Sequence, residues 1–152
     1  MNPPDPPSGL AATPGLFEHL SRAECFELLQ AKQVGRVAYC NADGPVVLPV
    51  NYTVRSHSIV FRTVAGSTLA RSVEDAPTAF QVDEIDDLSQ SGWSVLVVGV
   101  AQRVIDTEDV LDLWVDQHQP QPWADGERNA FVRIAPSTIT GRRVHPVIAP
   151  SS

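Results

Sequence analysis

The sequence predicts an α+β fold, mainly β, in which six mostly antiparallel strands form a closed or nearly closed barrel. Three observations support this prediction. Six β-rich runs follow one another through short turns, which favours antiparallel pairing of neighbours. Helical patterns occur at only a few connections, so the helices flank the sheet and do not alternate with its strands. Six strands in one small domain favour closure, because a closed barrel has no exposed edge strands.

The domain is expected to open with a helix. Ser21 and Glu24 have the spacing of a capping box, in which each side chain accepts a hydrogen bond from the backbone of the other. An apolar stripe follows, made of Cys25, Leu28 and Leu29. The helix is predicted to end near Gln33, before Gly35.

Four strands are predicted next, at residues 34–40, 45–54, 59–64 and 78–82. The first two are joined by Asn41-Ala42-Asp43-Gly44, a strong hairpin signal. A short helix containing Leu69 and Val73 is expected between the third and fourth strands, ending near Pro77. An acidic stretch, residues 83–87, is interpreted as a solvated loop.

A long strand at residues 92–105 is apolar on both faces, so both faces are expected to be buried, the second under a helix or another subunit. A helix beginning at Asp106 follows. Its inward side chains are predicted to be Val110, Leu111, Trp114, Val115 and His118. After a loop at residues 119–126, the last strand is predicted from about residue 129 to residue 135, resuming near Ile139.

Both ends of the chain are expected to be flexible tails. Residues 1–15 hold five of the 13 prolines and few apolar anchors, so burial there cannot offset the entropy lost on ordering. Residues 146–152 are a shorter version of the same. The folded domain is therefore predicted to span residues 16–145.

Composition narrows the class of protein further. The chain has 152 residues, 43% of them hydrophobic, which is enough for the core of one domain. Its formal net charge of -7 disfavours binding to nucleic acid or anionic lipid. No apolar run approaches the roughly 18 residues of a membrane helix, and no signal-peptide pattern is present. The two cysteines do not suggest a disulfide framework, so we expect a cytoplasmic protein.

One stretch of the chain suggests a phosphate site. A predicted strand carries Arg62 and Thr63, Gly66 allows a turn, and Ser67 and Thr68 begin a helix. A guanidinium, hydroxyl groups and free backbone N–H groups together suit a phosphate. The same residues equally describe an arginine on a solvated face and a serine that only caps a helix. Local chemistry alone favours this second interpretation.

Five segments, taken in order, resemble a known family. They read Val34-Gly35-Arg36-Val37-Ala38, Pro45-Val46-Val47-Leu48-Pro49-Val50-Asn51-Tyr52, Phe61-Arg62-Thr63-x-x-Gly66-Ser67, Gly92-Trp93-Ser94-Val95 and Val132-Arg133-Ile134-x-Pro136-x-x-Ile139-Thr140-Gly141-Arg142. Together they resemble the pyridoxamine 5′-phosphate oxidase-like family, and more narrowly its small actinobacterial branch near the nitroimidazole-resistance flavoproteins. The resemblance covers about residues 20–144.

The resemblance implies a six-stranded split barrel, an obligate homodimer, and FMN bound in two equivalent clefts at the dimer interface. Contacts with the FMN phosphate are implied for Arg62, Thr63, Ser67 and Thr68. Backbone groups along the polar edge of the isoalloxazine ring are implied for Pro49, Val50 and Asn51. Contacts from the other subunit are implied for Trp93 and Ser94, and a contact near the ring for Arg142.

One position departs from the family pattern. Relatives commonly carry a lysine where this chain has Thr68, so a charge-assisted contact with the phosphate is missing. Arg71, one turn further along the helix, either compensates or is solvated. This departure leaves the deazaflavin F420 as an alternative cofactor. The substrate-binding arginines and histidines of true pyridoxamine 5′-phosphate oxidases have no counterpart near the C-terminus, so vitamin B6 synthesis is not inferred.

Other candidate groups are given structural interpretations. The four histidines, His19, His57, His118 and His145, lack metal-ligand spacing, and no metal site is predicted. The carboxylates of residues 83–87 lack the spacing and the glycine of a calcium loop, and no nucleophile elbow is present. Trp123 is assigned equally to a lid over the flavin ring and to a plug on the barrel.

The sequence thus predicts a homodimeric flavin-binding oxidoreductase that acts on a small molecule. The flavin would carry the redox chemistry, so no catalytic acid or base is required of the chain. One alternative is F420 used as a dissociable cosubstrate. The other is a non-catalytic binding protein, which the absence of the usual lysine at Thr68 favours. The colour of the purified protein separates these interpretations, because a bound flavin makes a protein yellow.

Overall fold

The computed structural model describes residues 16–115 and 130–146. Within these ranges the strands are β1 (Phe17–Leu20), β2 (Val34–Asn41), β3 (Gly44–Arg55), β4 (Ser58–Thr63), β5 (Pro77–Asp86), β6 (Ser91–Arg103) and β7 (Ala130–Val144). The helices are α1 (Arg22–Gln30), α2 (Thr68–Val73) and α3 (Thr107–Val115). None of these helices is long and apolar enough to cross a membrane. Both predicted tails, and the predicted loop that contains Trp123, lie outside the described residues apart from Pro146.

Six of the strands form a closed ring. The order around it is β7, β4, β3, β2, β5 and β6, and β6 pairs with β7 to close it. Every pairing between these strands is antiparallel. The predicted six-stranded antiparallel barrel with short flanking helices is therefore confirmed. Strand β1 was not predicted. It lies outside the ring and pairs with the end of β7, where Phe17 faces Val144.

Helix α1 begins with the predicted capping box. Ser21 Oγ accepts a hydrogen bond from the Glu24 N–H at 3.2 Å, and the Glu24 carboxylate accepts one from the Ser21 N–H at 2.7 Å. The helix ends at Gln30, three residues before the predicted end at Gln33. The Gln33 carbonyl accepts a hydrogen bond from the Tyr52 N–H at 3.0 Å, so Gln33 already lies beside β3, one residue before β2 begins.

Helix α3 docks on the outside of the barrel through a face that includes Val110, as predicted, but not Leu111. Leu111, predicted to point inward, is 57% exposed, whereas Leu113 is buried. Val110 and Leu113 are three residues apart and therefore share a helix face. They pack against Val60, Val104 and Phe131. The side chains predicted inward at Trp114, Val115 and His118 lie outside the described part of the structure.

Two strands are longer than the sequence indicated. The interpretation of residues 83–87 as a loop was wrong up to Asp86, because a tight turn brings β6 back alongside β5 and pairs Asp83 with Ser94. Strand β7 runs unbroken through Pro136, which lies opposite Gly99 beside a register shift between β6 and β7. Proline is tolerated at such an irregularity because no ladder hydrogen bond requires its missing N–H.

Aromatic side chains fill the barrel interior. The ring of Phe80, fully buried, meets the Tyr52 ring edge-on with 4.7 Å between centroids. Phe80 also covers Gly35, where an added Cβ would lie 2.3 Å from the ring. The Tyr52 hydroxyl donates a hydrogen bond to the Leu29 carbonyl and so joins the barrel to α1. Burial raises the pKa of Tyr52, which keeps the hydroxyl protonated as a donor.

Strands β3, β2, β5 and β6 share a partly apolar surface on the outside of the barrel, which we call the outer face. Cross-strand partners lie on the same face of a sheet, and one such row consists of Val47, Ala38, Ala79 and Val98. On β6, Leu96 and Val100 also point outward and are 40% and 46% exposed. The intervening Val95 and Val97 are buried inside the barrel. Strand β6 is therefore apolar on both sides, and residues 16–115 and 130–146 leave its outward side partly exposed.

The capping box gives a pH-dependent prediction for α1. Hydrogen bonds from the Ser21 backbone and side chain lower the pKa of Glu24 below its usual value. Such a carboxylate stabilises the fold above its unfolded pKa, and this stabilisation is lost as the pH falls through the folded pKa. We expect Glu24→Gln to lower the free energy of unfolding at neutral pH, and the difference from wild type to close in acid.

Urea denaturation at pH 7 and at about pH 3 measures this difference. The control is Glu27→Gln, which removes an exposed carboxylate from the same helix without touching the capping box. A gap between Glu24→Gln and wild type that is unchanged in acid would contradict the prediction.

Candidate functional site

Two hydroxyl groups and a guanidinium meet where β4 leads into α2. Thr63 Oγ1 lies 3.3 Å from Ser67 Oγ, which caps the helix by accepting a hydrogen bond from the Ala70 N–H at 3.2 Å. Gly66 has a φ of +73°, and no described atom lies within 4 Å of the point where its Cβ would be. Arg71 reaches back along the helix, and its Nη1 donates to the Gly66 carbonyl at 3.0 Å. The turn is therefore open and flanked by hydrogen-bond donors.

The other two residues predicted to bind phosphate lie apart from this pair of hydroxyls. Consecutive strand residues point to opposite faces, so Arg62 lies on the outer side of β4 while Thr63 is buried. The guanidinium carbon of Arg62 is 5.4 Å from the centre of the Phe131 ring, a cation–π contact that orients the side chain. Thr68 is exposed at the first position of α2.

Pro49, Val50 and Asn51 lie on β3 just before its pairing with β4 begins. All three pair with β2, whereas the pairing of β3 with β4 covers residues 52–55. Pro49 is exposed, the Val50 side chain points into the core, and the amide nitrogen of Asn51 is buried. A group outside the barrel would therefore meet the backbone of Val50, and not its side chain.

Trp93, Ser94 and Arg142 come together elsewhere on the barrel. Ser94 lies directly opposite Arg142 in the pairing of β6 with β7. All three residues line a cavity of about 510 Å³, within the size range of small-molecule pockets. The remaining lining residues are Ile85, Asp86, Asp87, Gln90, Ser91, Gly92 and Val144.

The acidic wall of this cavity was missed from sequence, because residues 83–87 were interpreted as solvated. The Ser89 hydroxyl and the backbone N–H groups of Ser89 and Leu88 lower the pKa of Asp86, which keeps the Asp86 carboxylate ionised. The spacing of Asp86 and Ser89 was the available signal. An aspartate side chain that accepts hydrogen bonds from the backbone N–H groups two and three residues further on is typical of a tight turn. The residues on either side of such a turn can then pair as neighbouring strands.

The two groups of predicted site residues lie far apart within one chain. Arg62 pairs with Phe131 near the start of β7, and Ser94 pairs with Arg142 near its end. Eleven positions separate Phe131 from Arg142, which corresponds to about 35 Å along an extended strand. Within one copy of the chain, the two groups of predicted site residues are therefore separate.

The cysteines, and the histidines that the structure describes, lie among residues that give them structural contacts. His57 meets Phe26 edge-on, and His145 Nε2 lies 2.7 Å from the Glu18 carboxylate. No group of three potential metal ligands occurs within residues 16–115 and 130–146. Cys25 is buried in the core, where desolvation raises the pKa of its thiol, and Cys40 is exposed.

Comparisons with known proteins identify the family. The family model described as pyridoxamine 5′-phosphate oxidase matches residues 21–143. An uncharacterised protein of Mycobacterium tuberculosis is 34% identical over 130 residues, which cover 82% of this chain and 84% of that protein.

Two solved structures share the fold. The FAD binding protein from Mycobacterium smegmatis is 31% identical, with a TM-score of 0.69, and the match covers 83% of this chain and 97% of that one. An FAD-binding protein from Mesorhizobium loti is 25% identical, with a TM-score of 0.64, and the match covers 85% of this chain and 99% of that one. The matched region runs from the cap of α1 almost to the end of β7 and so contains the whole ring of strands. The resemblance seen in the sequence is confirmed, and the chain belongs to the pyridoxamine 5′-phosphate oxidase-like family.

Proposed function

We propose that this chain binds a flavin and transfers hydride or electrons between the flavin and a small substrate. The observation that carries the proposal is the turn after β4, where the hydroxyls of Thr63 and Ser67 lie 3.3 Å apart beside the open Gly66. A phosphate only accepts hydrogen bonds and is negatively charged, so hydroxyls and a nearby guanidinium fit it. The relative from Mycobacterium smegmatis, described as FAD binding, supports the same ligand class.

The proposed roles follow the position of each residue. Arg62, Thr63, Ser67 and Thr68 hold the phosphate. Pro49, Val50 and Asn51 offer backbone groups to the edge of the ring, while Trp93, Ser94 and Arg142 approach it from a partner subunit. When bound, the flavin supplies the redox chemistry, and the chain contributes binding, orientation and exclusion of water.

A homodimer is part of the proposal. The group of predicted site residues around Arg62 and the group around Trp93 are too far apart along β7 to meet within one chain. In the proposed dimer, the Trp93 end of one chain approaches the Arg62 end of the other. The outer face, with Leu96 and Val100 exposed on β6, gives the two copies an apolar surface to bury. The dimer thus completes the site as well as covering the sheet.

We propose FMN as the cofactor. The relatives described as FAD binding make FAD the first alternative, and F420 is the second. Each of the three carries a phosphate that the residues after β4 can hold. Mass spectrometry of the ligand that co-purifies from the native host identifies it directly. A purified protein that is yellow supports FMN or FAD. If the purified protein is colourless and binds added F420, then F420 replaces FMN and FAD as the proposed cofactor.

We propose that the chain is an oxidoreductase and not a non-catalytic binding protein, and one experiment distinguishes the two. The feature that favours a non-catalytic protein is Thr68, which stands where relatives have lysine. The test mixes the flavin-loaded protein with reduced nicotinamide donors without oxygen and then admits air. Loss and return of the yellow absorbance support an oxidoreductase. A flavin that stays oxidised with every donor, reduced F420 included, supports a binding protein.

A cytoplasmic location is proposed on the state of the cysteines. Both are free thiols, with Cys25 inside the core and Cys40 on the surface of β2. Free exposed thiols persist in reducing compartments. Fractionation of the native host with an antibody tests this location.

Replacing Arg62 tests the proposed phosphate contacts. We expect Arg62→Ala to weaken FMN binding by about 1.5–3 kcal/mol, ten- to more than a hundredfold, because a charge-assisted hydrogen bond is lost. Thr68→Lys should strengthen FMN binding, because it restores the cation that relatives have. Titration with FMN, followed by quenching of flavin fluorescence, measures both dissociation constants.

Riboflavin is the control ligand, since it has no phosphate and should bind both variants as it binds wild type. Damage to the barrel could explain weaker binding by Arg62→Ala but not tighter binding by Thr68→Lys. If Arg62→Ala binds FMN with the wild-type constant, the phosphate lies elsewhere.

A further inference from the structure

We infer that Arg71 supplies a second cation, beside Arg62, for the flavin phosphate in this chain, in place of the lysine that relatives carry at the position of Thr68. The inference rests on the proposed function and assigns the charge of the missing lysine to a residue outside the family pattern. From sequence, Arg71 was as consistent with a solvated side chain as with a ligand.

The structure ties Arg71 to the turn through both its backbone and its side chain. The Arg71 N–H donates to the Ser67 carbonyl at 3.0 Å, and Arg71 Nη1 donates to the Gly66 carbonyl at 3.0 Å. The guanidinium is thus held next to the serine whose hydroxyl faces Thr63. Holding a long side chain in place beforehand reduces the entropy lost when a ligand binds.

The other arginine of the site is held differently. Arg62 lies on the outer side of β4 with its guanidinium over the Phe131 ring, while Thr63 points to the opposite side. Thr68, at the position of the lysine, has a short uncharged side chain. Arg71 is therefore the arginine whose guanidinium is hydrogen-bonded to the turn that carries the two hydroxyls.

The guanidinium has donors left for a ligand. An arginine carries five N–H groups, and the described residues engage the Arg71 side chain through the Gly66 carbonyl. Within the described ranges no carboxylate forms an ion pair with it. A guanidinium can offer two parallel hydrogen bonds to a phosphate, which an ammonium cannot do. The position beyond Gly66 is open to receive such a group.

The test is a set of variants titrated with FMN. We expect Arg71→Ala to raise the dissociation constant about ten- to a hundredfold, and Arg71→Lys to lie between it and wild type. Adding Thr68→Lys to Arg71→Ala should restore most of the affinity, because the lysine supplies the missing charge from one turn away. Riboflavin should bind all of these variants equally.

The matched control is Arg22→Ala, which removes an arginine from α1 outside the proposed contacts. Its FMN dissociation constant should equal that of wild type. If wild type binds flavin and Arg71→Ala binds FMN equally well, this inference is wrong while the proposed function stands. A loss by Arg71→Ala that also affects riboflavin, or that Thr68→Lys does not repair, would likewise overturn it. If wild type binds no flavin, both the proposed function and this inference are wrong.

Discussion

Replacing Phe80 with alanine is expected to lower the free energy of unfolding by about 3–5 kcal/mol, because it opens a cavity at the centre of the barrel. Phe80 is fully buried, touches the Tyr52 ring and covers Gly35. Chemical denaturation followed by circular dichroism measures the change. Phe80→Leu, which keeps most of the volume, is the matched control and should cost clearly less.

Gly35 makes the prediction more specific. A Cβ at this position would lie 2.3 Å from the Phe80 ring, so Gly35→Ala alone should destabilise the protein by about 1–3 kcal/mol through overcrowding. In the Phe80→Ala background, Gly35→Ala should lower the free energy of unfolding only slightly, because the new methyl group enters the empty space. Strictly additive effects of the two substitutions would show that the ring and the glycine do not constrain one another.

Introducing charge on the outer face is expected to separate the proposed dimer. Leu96→Asp with Val100→Asp places two carboxylates where the partner would bury apolar side chains, and an unpaired buried charge is strongly unfavourable. Light scattering should give twice 16.5 kDa for wild type and 16.5 kDa for the double variant. Flavin binding should fall with the dimer, because each proposed cleft takes residues from both subunits.

Leu111→Asp is the control for this experiment. Leu111 is 57% exposed on α3, away from the outer face, so its replacement by aspartate should leave both the mass and the flavin affinity unchanged. A wild-type mass of 16.5 kDa at micromolar concentration would refute the proposed dimer, and so would a double variant that remains dimeric.

Much of the barrel was accessible from sequence because its signals are local. The hairpin turn at Ala42-Asp43 and the capping box at Ser21 each depend on residues a few positions apart, and both occur where predicted. Strand β1 carries no such signal. Its four residues become a strand only by pairing with the end of β7, which is a tertiary contact that no local pattern encodes. The same holds for the docked face of α3, which the surface beneath it decides.

In the candidate site, too, features with a local sequence signal were predicted and features that depend on tertiary contacts were not. The hydroxyl and glycine pattern around Thr63 and Ser67 could be read from sequence, and the structure brings the two hydroxyls together. The anchoring of Arg71 on the Gly66 carbonyl depends on how the turn folds, so sequence left its role open. The acidic wall of the cavity beside Trp93 was missed because it forms only when β5 and β6 pair beyond Val82.

The position of β7 has a consequence for the order in which the chain acquires its structure. Strand β7 pairs with β1, β4 and β6. Phe17 in β1 cannot pair until Val144, 127 positions later, has been synthesised. During synthesis β4 and β6 are therefore made as open edges, and an open edge can pair with another nascent chain. Contacts of such long range also slow folding. Strand β7 closes the barrel, so a chain truncated before β7 would leave the open edges of β4 and β6 exposed at once.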